Sequence, residues 1–135
     1  MTARITTRVA FAGATMTKAS MKTLVRNPAR LTDALVQSIL SASRAEGAGD
    51  AWYSFQQCEL LQTGLRTCYL DRLDALAQPT LVLAGAQDKL VPFSDCAAAV
   101  DRLPNARREV LDPCGHWIAR DQPDRFVSAV TEFVT

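Results

Sequence analysis

The chain has 135 residues, 48% of them hydrophobic and 21% charged, with a formal net charge of +1. Charges this balanced give no electrostatic case for nucleic acid or an anionic membrane. No stretch approaches the roughly 20 apolar residues of a membrane span.

Targeting and redox signals are sparse. Arg4 and Arg8 precede the apolar run Val9–Ala14, which is shorter than a secretory core and is soon followed by Lys18. Cysteines at 58, 68, 96 and 114 form no Cys-x-x-Cys pair. A domain of this size can bury a core without staples, so reduced thiols in a cytoplasmic protein are the expected state.

In chain order, Thr7–Ala12 is short and apolar and suggests a strand, with helix entry as the alternative. Asn27 is a good N-cap with Pro28 at the first helical position. Thr32 is a second N-cap, for a helix carrying Leu35, Val36, Ile39 and Leu40 at helical spacing. The run Ala45–Asp50 breaks that helix. Trp52, Phe55, Leu60 and Leu61 predict another amphipathic helix, and Gln62-Thr63-Gly64 a turn.

The second half reads as βαβα. Thr80–Ala84 is continuously apolar with β-branched members, as in a parallel strand covered on both faces. Ser94 is expected to cap a helix with Cys96, Ala97, Val100 and Leu103 inward, ended by Pro104-Asn105, and Arg108–Asp112 to form the next strand. Parallel strands joined by a crossover point the same way, which places the loops after them at one edge of the sheet, where α/β sheets bind ligands. Asp88 lies in the first of these loops, and the only histidine, His116, in the second. A carboxylate past a buried strand can hold a histidine in one tautomer and stabilise its protonated form.

The segment Leu73–Val134 resembles the C-terminal half of an α/β-hydrolase. The family's acid-bearing strand, P-T-L-V-L-x-G-x-x-D, is matched by Pro79–Asp88, and Val91-Pro92 follows as in many members. Leu103-Pro104, the strand Glu109-Val110-Leu111, the turn Gly115-His116-Trp117 and the helix start Asp121-Gln122-Pro123-Asp124-Arg125-Phe126 continue the pattern. The resemblance implies an α/β fold built from two or three strands of the parallel hydrolase sheet over 73–135, with a helical cap-like region over 1–72. It also implies catalytic roles for Asp88 as the triad acid and His116 as the base. Trp117 has two readings, a substrate-lining aromatic and a residue packed under the final helix.

The family's nucleophile sits in a Gly-x-Ser-x-Gly elbow, ahead of the acid and the histidine. The six glycines stand at 13, 47, 49, 64, 85 and 115, no two of them four apart, so the 135 residues hold no elbow and no oxyanion donors from it. A complete hydrolase sheet with its cap also needs on the order of 200–250 residues.

Other chemistry reads weakly. Cys114 with His116 offers two metal ligands where three or four are needed, and nothing places Cys114 on an activated elbow; a small buried packing residue is the favoured account. Gly85 alone makes no phosphate cradle, so no cofactor or metal is expected. Asp95 and Asp112 read as solvated positions, and Arg107-Arg108 as an exposed basic pair. Two functions survive: half of a hydrolase acting on an ester, amide or similar small substrate once a nucleophile is supplied, or a non-enzymatic relative that binds a small molecule or a protein. The expected partners are a small-molecule substrate or ligand, together with a second copy of the chain or a complementing N-terminal hydrolase half that covers the unpaired sheet edge.

Overall fold

The structure, a computed structural model, describes residues 13–135; the strand expected at Thr7–Ala12 lies outside them. Two compact units emerge. One comprises the chain up to Met21 with Leu31–Cys68, the other Lys22–Arg30 with Tyr69–Thr135.

The first unit is mostly helical. Helix α1 (Ala14–Met21) packs on α2 (Asp33–Arg44), burying Thr17 and Met21 against a face that carries Val36 and Leu40. Thr32 caps α2 as expected, its hydroxyl accepting the Leu35 N–H at 3.3 Å. The chain then turns through 45–49, with Gly47 and Gly49 both at positive φ, into α3 (Asp50–Glu59).

That helix is shorter than its apolar pattern suggests. Leu60 and Leu61 leave it to form a two-residue strand, β1 (Leu60–Leu61), antiparallel to β2 (Gly64–Leu65) across the expected turn. Gly64 at φ 128° supplies the bend that a β-carbon would resist. No residue of α3 is buried, and Trp52 and Phe55 stack on each other at 5.3 Å between ring centroids.

The second unit holds the βαβα run. Strand β3 (Thr80–Gly85) pairs in parallel with β4 (Ala106–Leu111), Thr80 opposite Ala106 and Gly85 opposite Leu111. Helix α4 (Phe93–Arg102) crosses between them, with Cys96, Ala97, Val100 and Leu103 half-buried along one side. It begins one residue before Ser94, so Ser94 is not the cap; its hydroxyl meets only the Asp95 carboxylate, at 3.4 Å. The second strand starts two residues earlier than its apolar content implied, because the ladder carries through Ala106 and Arg107 whatever their side chains.

A 3-10 turn at Leu70–Ala75 is tied to α4 by Arg102, which donates to the Leu70 carbonyl at 3.0 Å and the Asp71 carboxylate at 3.1 Å. Asn27 does cap at Pro28, but the result is one 3-10 turn (Pro28–Arg30), the Asn27 side chain accepting the Ala29 N–H. Helices α5 (Ile118–Asp121) and α6 (Pro123–Val134) close the unit; Arg107 reaches Glu132 on α6 at 3.0 Å. Arg108 lies over the Phe93 ring, 5.0 Å from its centroid, so the basic pair is exposed but engaged.

The sheet is the main departure from the sequence reading. Thr80–Leu83 are only half-buried and burial is complete at Ala84 and Gly85 alone, because β3 pairs with β4 on one edge and with no other strand among the described residues. No helix among those residues is long and apolar enough to cross a membrane.

The tightest packing is backbone on backbone. A β-carbon on Gly85 would collide with the Gly115 carbonyl and stand 2.7 Å from that of Cys114. One on Gly115 would stand 2.8 Å from the Leu24 carbonyl. Glycine is required at both places for close approach, so Gly85→Ala is expected to lower unfolding stability by about 2–3 kcal/mol in urea titrations. A loss below about 0.5 kcal/mol would show that the two loops part without cost.

Candidate active site

Parallel pairing brings the ends of β3 and β4 to one edge of the sheet, and the loops beyond them carry Asp88 and His116. The two side chains meet there, with His116 Nδ1 2.9 Å from Asp88 Oδ2. The carboxylate is nearly enclosed at 9% side-chain exposure, whereas the imidazole is 38% exposed. Each carboxylate oxygen has its own task. Oδ1 accepts the N–H groups of Leu90 at 2.8 Å and Val91 at 3.0 Å, and Oδ2 faces the imidazole.

Burial by itself would raise the Asp88 pKa. The N–H of Val91, then His116, then the N–H of Leu90 outweigh it and hold the carboxyl below its ordinary value. An ionised carboxylate only accepts, so the proton between the two residues sits on Nδ1, which in a neutral imidazole puts the basic lone pair on Nε2. Nε2 takes part in no hydrogen bond among the described residues.

The loops that carry the pair are held by side chains the sequence reading passed over. Gln87 spans the two: its amide nitrogen donates to Asp112 at 2.6 Å and its amide oxygen accepts the Cys114 N–H at 2.7 Å. Asp112 is therefore one end of a clasp as well as an exposed loop residue. Asp95 remains exposed in the first turn of α4.

Asp121 was legible only as a helix-start residue, yet it is 3% exposed. Its carboxylate accepts the N–H groups of Gly115 at 2.7 Å, Arg26 at 2.8 Å and Asn27 at 2.9 Å. It thus joins the residue before His116 to the 24–27 loop, which also accepts the Trp117 N–H at the Leu24 carbonyl.

Cys114 is fully buried, and burial followed by the nearby Asp121 charge pushes its thiol up to about 11. That environment is the opposite of an activated nucleophile's. Trp117 is 38% exposed with the Arg120 guanidinium 5.9 Å from its ring centre. A cavity of about 400 Å³ is lined by Lys22, Arg26, Gln87, Lys89 and Gly115 among others; Asp88, His116 and Trp117 are not among its walls.

With this geometry in place, comparison with known proteins is decisive about ancestry. Residues 5–123 match the family model described as alpha/beta hydrolase fold. The chain belongs to the α/β-hydrolase family. It is 29% identical over 117 residues to a 2-hydroxy-6-oxononadienedioate/2-hydroxy-6-oxononatrienedioate hydrolase of Cupriavidus pinatubonensis, covering 87% of this chain and 40% of that protein. Among solved structures, a thermophilic esterase from Thermogutta terrifontis matches at 26% identity with a TM-score of 0.68, over 98% of this chain and 49% of that one. The serine hydrolase CarC, involved in carbazole degradation, matches in fold at TM-score 0.79 and 24% identity, over 90% of this chain and 47% of that one. The 135 residues therefore span 40% to about half of these relatives' length.

Two expectations follow from the side-chain geometry. Replacing Asp121 by Ala leaves three enclosed N–H groups without their acceptor, and a loss of about 3 kcal/mol is expected by chemical denaturation. An effect under about 1 kcal/mol would mean water replaces the carboxylate at little cost. Because the Asp88 carboxyl is held below its unfolded value, its contribution to stability is fully present above about pH 4 and is lost as pH falls through the folded value. Asp88→Asn is therefore expected to flatten the acid limb of the stability–pH curve below about pH 4, and an unchanged limb would remove this account.

Proposed function

We propose that the chain is the acid-and-histidine portion of an α/β-hydrolase that cleaves an ester, an amide or a similar bond in a small molecule, with a nucleophile supplied from outside these 135 residues. The observation that carries this is the 2.9 Å contact between His116 Nδ1 and Asp88 Oδ2, on loops whose sequence spacing is that of the family. In this reading Nε2 takes the proton of a hydroxyl or thiol as that group attacks the substrate carbonyl carbon. Asp88 stabilises the imidazolium so formed, and His116 then returns the proton to the leaving group. Water repeats the cycle on the acyl intermediate.

The relatives named as hydroxy-oxo-dioate hydrolases support hydrolysis as the reaction class and an oxo-bearing acid as one substrate type. The first unit takes the part of a cap. The edge of β3 that no strand pairs among the described residues is where strands of a complementing half, or of a second copy, would add.

The purified chain is expected to turn over p-nitrophenyl acetate no faster than buffer, since acid and base without nucleophile or oxyanion donors retain little of the apparatus. Combined with an N-terminal hydrolase half bearing a Gly-x-Ser-x-Gly elbow, it should gain an activity that His116→Ala lowers by about 10⁴-fold. Strong hydrolysis by the chain alone, abolished by changing Ser54 or Ser94, would reveal a different nucleophile and overturn the proposal. Sedimentation of the pure chain is expected to show association across the micromolar range that the added half suppresses. A compact monomer at all concentrations would mean that the β3 edge is already covered.

A further inference from the structure

A cavity whose lining includes the sequence neighbours of Asp88 and His116, Lys89 and Gly115, carries three cationic side chains that the proposed chemistry does not use. Lys22, Arg26 and Lys89 all line it, Lys89 next to Asp88 in sequence. None of the three has a carboxylate partner among the described residues, although other cations of the chain, such as Lys18, Arg102 and Arg107, do. Unpaired cations gathered on one concavity repel each other, and an anion placed among them relieves that repulsion.

Part of the cavity's backbone is held in place. Asp121 fixes Arg26 and Gly115 through their N–H groups, and Gln87 is clamped between Asp112 and the Cys114 N–H. Arg26, Gln87 and Gly115 are thus held at these points before a ligand arrives. At about 400 Å³ the space falls at the lower end of small-molecule pockets, roughly 300–1,000 Å³.

We infer that this cavity is a binding site for the carboxylate of a small organic acid, with Arg26 offering a planar fork of donors and Lys22 and Lys89 point charges. The site depends on the hydrolase reading only for its use. There it would hold a substrate's remote carboxylate beside His116, or else a free acid bound alongside the reaction.

The test is a titration of the ¹⁵N-labelled chain with succinate, followed by amide NMR, against succinamide and against sodium chloride at equal ionic strength. Succinate should give saturable shifts centred on Arg26, Lys89 and Gly115 with a dissociation constant of about 1 mM or below, while succinamide gives none. Replacing Lys22, Arg26 and Lys89 together by Gln should weaken binding at least about tenfold. A matched removal of Arg72, Arg107 and Arg108, none of which lines the cavity, should change it less than about twofold.

Shifts that fail to saturate, that sodium chloride reproduces, or that both triple variants weaken alike would overturn the site. Binding is read without turnover, so its failure is distinct from failure of the hydrolase reading. In the complemented enzyme, a KM for mono-p-nitrophenyl succinate that rises in the Lys22/Arg26/Lys89 variant would identify the carboxylate as the substrate's own. An unchanged KM with succinate still bound would identify a separate acid.

Discussion

The Asp121 carboxylate is the interaction on which the functional end of this protein depends. Two oxygens take three backbone N–H groups from two segments some ninety positions apart, so one enclosed charge sets both the turn that ends in His116 and the loop over 24–27. A neutral side chain of similar shape has fewer acceptor lone pairs to offer, and hydrogen bonds to a charged acceptor are about twice as strong as neutral ones. The position of His116 relative to Asp88 follows from that arrangement. The imidazole is held on one side by the Asp88 carboxylate and, through the N–H of the preceding Gly115, by a second carboxylate.

Glycine makes the arrangement possible sterically. The end of β3, the Cys114-Gly115 turn and the Leu24 strand of chain lie in direct backbone contact, with Gly85 at one boundary and Gly115 at the other. Neither glycine uses a left-handed conformation; both are needed because a β-carbon would occupy space already filled by a carbonyl oxygen. Close approach is also what lets the N–H of Ala86 reach Leu111 and that of Gln87 reach Cys114, continuing the sheet's bonding past its last paired residues.

Much of this was legible in the amino-acid sequence where the signal is local. Thr80–Ala84 reads as a parallel strand from its continuous apolar run, and Thr32 as a helix cap from its side chain; both appear as read. Strand direction puts the loops of Asp88 and His116 at one edge of the sheet, and the family resemblance pairs their side chains. Asp121 and Gln87 were not legible as structural ties because their partners are backbone N–H groups, which every residue but proline carries and no spacing advertises. Ser94 and Leu60-Leu61 misled for a related reason. Serine and leucine each suit several local settings, and the outcome was decided by where α4 begins and by the short ladder with Gly64–Leu65. β3 is half-buried because β4 is the one strand it pairs with among the described residues, and an apolar run cannot count its neighbours.

The four thiols of the chain are placed so differently that they form a ready chemical clock for opening of the sheet edge. Burial pushes the Cys114 thiol up to about 11, so it stays in the unreactive protonated form at neutral pH, and it is wholly enclosed besides. Cys58 and Cys68 are exposed and Cys96 is half-covered. An alkylating reagent would therefore mark the outer three promptly. It would reach the fourth only when the turn before His116 lifts away from Gly85, so the slow modification would time the detachment of the histidine loop itself.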